Sequence, residues 1–110
     1  MAHSIPTPTE TVVLAAYRLV NTRRALDEAA TAAAAAKADA DLSTAEKVDA
    51  THRRTVAESD WADAHGCYWH ATTREHIDAG ILADLDAAVR HPEHPRMLTA
   101  AAKAARQAVA

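Results

Sequence analysis

The densest group of chemically reactive side chains in this 110-residue sequence is Asp63, His65, Cys67, His70 and His76. Thiolate, imidazole and carboxylate are metal ligands, and ligands carried on one helix converge only at spacings of three or four residues. Cys67 and His70 meet that spacing. His65 points away from both, and His76 stands three turns beyond His65. A site would have to borrow ligands from the proline-rich turn that follows, which makes Cys67, His70, His91 and His94 the alternative metal set, with Glu93 close by. Two converging ligands do not hold a metal by themselves, so neither a metal nor any other cofactor is expected.

The same Cys67 beside a histidine has the ingredients of a nucleophile. A working thiolate also needs an oxyanion site and a substrate cleft, however. Gly66 and Gly80 are the only glycines, which leaves no Gly-rich loop to build one. An enzyme is not expected. His52 and His70 fall on or near a presumed helix contact, where acquiring charge in acid would oppose packing. Arg53 and Arg54 are able to touch phosphate, and the last two helical segments match a helix-turn-helix in length. The final segment, however, offers only Arg96, Lys103 and Arg106, so nucleic acid is disfavoured as a partner.

The elements that would position these groups are all helical. Pro6 and Pro8 make residues 1–8 an extended leader, without the charged and apolar regions of a signal peptide. Thr9 then offers an N-cap, and no Gly or Pro interrupts the chain to about residue 39. A seam of Val12, Ala15, Leu19, Thr22, Leu26, Ala29, Ala33, Ala36 and Ala40 alternates steps of three and four, as in helices packed along a line. Ser43 and Glu46 fit a capping box that starts a second helix, 44–79. Its expected seam is Ala45, Val48, His52, Thr55, Ser59, Ala62, Gly66, Trp69, Thr73 and Ile77. Gly80 would close it, and shorter helices over 81–90 and 96–109 would follow, separated by His91-Pro92. No stretch alternates with period two. The expected fold is therefore all-α: a long antiparallel helical hairpin with two shorter C-terminal helices packed on one end, forming one helical domain over 9–110.

Folding back about residue 41 would bring Asp27 and Glu28 near Arg53 and Arg54, and Arg23 and Arg24 near Glu58 and Asp60. It would also place the apolar first half of helix one beside Trp61, His65, Tyr68, Trp69 and His76. Most of that aromatic face points away from the expected seam, so the C-terminal helices would cover it, or Trp61 and Tyr68 would anchor a partner. The opposite end of the hairpin, about 29–51, is nearly all alanine and charge and would project as a thin arm, either a solvated spacer or propped up by a partner, its alanines allowing the close approach that self-association needs.

Composition agrees with a contact protein. Hydrophobic residues make up 49% of the chain, but alanine supplies most of them, and there are two Trp, two Tyr and no Phe. Such a chain gains helix propensity and buries little area per residue, which favours completion by a partner. A net charge of −3 with interspersed signs lacks a basic stripe. No run is long enough to span a membrane, and a lone Cys67 suits a reducing cytosol. The expected function is a non-catalytic protein–protein interaction module, contacting another protein or a second copy, as in a homodimer, through Trp61, His65, Tyr68, Trp69 and His76. The alternatives are a metal- or thiol-dependent sensor built on Cys67 and a nucleic-acid-binding accessory protein.

Overall fold

A computed structural model of the chain describes residues 7–109, so most of the expected leader lies outside the described residues. It consists of α1 (Pro8–Ala38), α2 (Thr44–Arg74), α3 (Ala79–Val89) and α4 (Pro95–Val109), with no strand among the described residues. Helices α1 and α2 form the long hairpin. Helices α3 and α4 pack on each other and on α1 at one end. The molecule measures 56 × 30 × 26 Å, longer than it is wide because the hairpin continues past that head.

Local signals explain most of the helix ends. The first cap is Thr7 rather than Thr9: its hydroxyl accepts the Glu10 N–H at 3.1 Å, and Pro8 takes the first helical position. Proline suits that place because its missing N–H would have no partner there. Thr9, expected as the cap, is buried instead. The turn between the long helices carries the Ser43 half of the expected capping box, while the Glu46 carboxylate meets the Ser43 hydroxyl rather than its backbone N–H. Ser43 accepts the Glu46 N–H at 3.1 Å and donates its hydroxyl to the Glu46 carboxylate at 3.0 Å.

The end of α2 differs from expectation. The helix stops at Arg74, and Gly80 lies inside the first turn of α3 rather than closing α2. Asp78 caps α3, its carboxylate accepting the N–H groups of Gly80 and Ile81 at 2.9 and 3.2 Å. Ile77 gains from the break. Two residues on from Glu75 in an unbroken helix, it would turn about 200° away from that half-buried position. In the 75–78 link it packs against the core.

The contact face of α2 is also a different stripe from the one expected. Ala64, Tyr68 and Ala71 are its buried residues, and Trp61 packs against the same core. All the expected seam positions from Ala45 to Thr73 are exposed. Gly66 shows this directly, since a Cβ built there would meet nothing within 4 Å. Trp61 and Tyr68 lie seven residues apart on one stripe, and burying two rings removes far more apolar area than burying serine, threonine and histidine. Trp69 is turned about 100° from Tyr68 and stays 66% exposed.

Between α2 and the head lies α1, which is apolar on several sides. Val12, Val13, Ala16, Leu19 and Val20 are buried along it, joined by Leu85 and Ala88 of α3 and by Leu98, Ala101, Ala102 and Ala105 of α4. The sandwiched helix is therefore α1 rather than α2. Met97, at the start of α4, is exposed. The C-terminal helix is also tied back to the start of the chain, with Arg106 donating two 2.8 Å hydrogen bonds to the Glu10 carboxylate. The expected ion pairs across the hairpin do not form among the described residues. Arg23–Asp27, Arg53–Asp49 and Arg54–Glu58 pair along their own helices instead, at 3.2, 2.9 and 3.1 Å.

Candidate functional site

Four of the five residues expected to meet a partner do gather on one surface. Trp61, His65, Tyr68 and Trp69 line a groove of about 560 Å³ where α2 meets α1 and the α3–α4 turn. Leu19 and Val89 supply further apolar lining, and Arg23, Asp86, Arg90 and Glu93 supply charges of both signs. His76 is not among the lining residues; it lies in the link after α2, because that helix ends early.

The aromatic residues divide by role. Tyr68 is 7% exposed, and its hydroxyl donates to the Asp86 carboxylate, joining α2 to α3. Trp61 is half-buried, with the Arg23 guanidinium 5.5 Å above its ring and the His65 ring 5.4 Å away. An arginine over an indole face is held by the ring quadrupole and covers the ring on that side. Trp69 has neither arrangement and presents its ring to solvent. Arg23 was expected only in an ion pair across the hairpin, and Asp86 and Arg90 were not expected at this surface at all. Asp86 and Arg90 have the i, i+4 spacing of one helix face, but only the docking of α3 places them at the groove.

Burial in an apolar contact holds the Tyr68 phenol above its ordinary titration range, and the hydrogen bond to Asp86 and that group's negative charge push it further up. An unfolded tyrosine ionises near pH 10. Above that pH the unfolded chain releases a proton that folded Tyr68 retains. The contribution to stability is thus complete below about pH 10 and declines as pH rises through and beyond it. Tyr68→Phe is expected to lose about 1 kcal/mol at neutral pH and to show a shallower alkaline decline, in melts between about pH 8 and pH 11. Equal alkaline slopes in the two proteins would contradict this role.

The chain matches no family model, no curated protein and no solved structure.

The groups considered for other chemistry lie apart. Cys67 and His70 share a shallow surface with Arg18, whose guanidinium donates to the Cys67 sulfur at 3.3 Å. His91 and His94 flank Glu93 on the α3–α4 turn, at 3.1 and 3.9 Å from its carboxylate. Among the described residues no three His, Cys, Asp or Glu side chains are placed to hold a metal ion, so Cys67, His70, His91 and His94 do not form one ligand set. His52 and His70 are both exposed, which removes the packing basis for acid sensitivity at a buried helix contact. No helix among the described residues is long and apolar enough to cross a membrane.

Proposed function

We propose that the chain is a non-catalytic protein–protein interaction module, an adaptor, assembly subunit or small accessory or inhibitory protein, acting through helical surfaces. The observation that supports this most directly is Trp69, 66% exposed at a groove that also holds Trp61 and His65 and carries charges of both signs. Tryptophan dominates the binding energy of protein interfaces because one rigid ring removes much area from water at small entropic cost. Surrounding charges would set the register of the partner more than the strength of binding. A single free thiol, Cys67, supports a cytoplasmic setting.

Trp69→Ala separates this role from folding. A protein captured from the source cell's extract and then purified is expected to bind the variant at least about tenfold more weakly, in line with loss of an interface tryptophan. Helicity and the unfolding midpoint are expected to stay within error, since the ring is 66% exposed and takes no part in the buried core. Undiminished binding by Trp69→Ala would dismiss the groove as the contact surface. Trp61→Ala is the poorer probe, because that ring packs against the core and its loss would disturb the hairpin.

A further inference from the structure

Beyond the head, the two sides of the α1–α2 arm differ in charge. One side is a groove of about 510 Å³ whose lining includes Glu28, Glu46 and Asp49, with Arg53 paired to Asp49. The other is a groove of about 800 Å³ lined by Lys37, Lys47 and Arg54 without a carboxylate. Ala32 belongs to the first groove and Ala34 to the second. Residues two apart on a helix diverge by about 200°, so the grooves lie on opposite sides of the arm. Two of the three lysines in the chain stand on the basic side, where Val48 is also 63% exposed. Among the described residues Glu28, Glu46, Lys37 and Lys47 form no ion pair, whereas Arg54 pairs with Glu58 along α2.

The charges also agree in height along the arm. Counted away from the turn, Lys37 is the second residue of α1, and Glu46 and Lys47 are the third and fourth of α2. Glu28 and Arg54 are each the eleventh. Two arms stacked side by side and pointing the same way would set Glu46 against Lys37 and Lys47, and Glu28 against Arg54. The alanines between these charges let the helices approach closely, whereas two like faces brought together would repel.

We propose that a second copy of this chain docks on the arm, the acidic groove of one copy receiving the basic groove of the next. This rests on the interaction-module reading and names one partner for it. Because different faces meet, the contact is heterologous, and further copies can add at the free faces until a ring closes.

The test pairs two charge reversals with wild-type protein, followed by light scattering and sedimentation velocity at low salt. Wild type is expected to exceed the 11.7 kDa of one chain as concentration rises, and to fall back toward it in high salt. Lys37→Glu/Lys47→Glu makes both faces acidic, and Glu28→Lys/Glu46→Lys makes both basic. Each is expected to remain monomeric alone with its helicity retained, while an equimolar mixture of the two associates again. Wild type that stays monomeric at low salt, reversals that associate as wild type does, or a mixture that stays dissociated would each overturn the proposal. Trp69→Ala is expected to self-associate normally. If it alone abolishes self-association, the second copy sits on the head, which overturns the arm contact and leaves the interaction module standing.

Discussion

Leu85→Ala is expected to remove about 2–5 kcal/mol of stability, the largest effect foreseen for any single truncation in this chain. Leu85 is 0% exposed and is among the largest fully buried side chains, with Val12 and Val13. It is also the central anchor of α3, an 11-residue helix too short to persist without tertiary contacts. Losing it leaves a cavity at the point where α3 meets α1 and α4. A chain of this size has about 5–15 kcal/mol in total, so the change would shift a urea midpoint well outside error. Hydrogen exchange would localise the damage, with amides of α3 and α4 losing protection while the arm is little altered. A change below about 1 kcal/mol would mean that α3 does not depend on this contact.

Ala64→Leu is expected to destabilise by about 1–3 kcal/mol, whereas Ala62→Leu stays within about 0.5 kcal/mol. The two positions are chemically identical and lie two residues apart on α2, about 200° around the helix. Ala64 is 0% exposed in the core, and Ala62 faces solvent. A leucine at 64 has to push α2 away from α1 or adopt a strained rotamer, because close-packed helices leave no room for three more carbons. At 62 the same side chain extends into water and slightly improves on nothing. Thermal or denaturant melts of the pair therefore report which stripe of α2 forms the hairpin contact. The opposite ranking would restore the stripe through Ala62, Gly66 and Trp69.

That pair of alanines marks where sequence and tertiary structure part company. The helices themselves were legible because their signals are local. Long stretches without Gly or Pro, the Ser43 N-cap and the His91-Pro92 stop act within about one turn, and they recur in the structure with the hairpin they imply. Gathering Trp61, His65, Tyr68 and Trp69 on one surface was legible for the same reason, since helical spacing alone puts them within reach of each other. The face that α2 buries was not. In an alanine-rich helix several stripes carry similar apolar content, and periodicity gives a spacing without a phase. The phase depends on what stands opposite, and here that is the wide apolar half of α1, which accommodates Trp61 and Tyr68 and leaves Trp69 outside. Asp78 offered a cap that competed with Gly80 as a boundary, and burial of Ile77 accompanies the choice of the cap. The sequence thus determined which segments coil and where the chain turns, through interactions between near neighbours. Only tertiary packing decided which side of each helix meets water, because that choice compares buried areas between residues far apart in the chain.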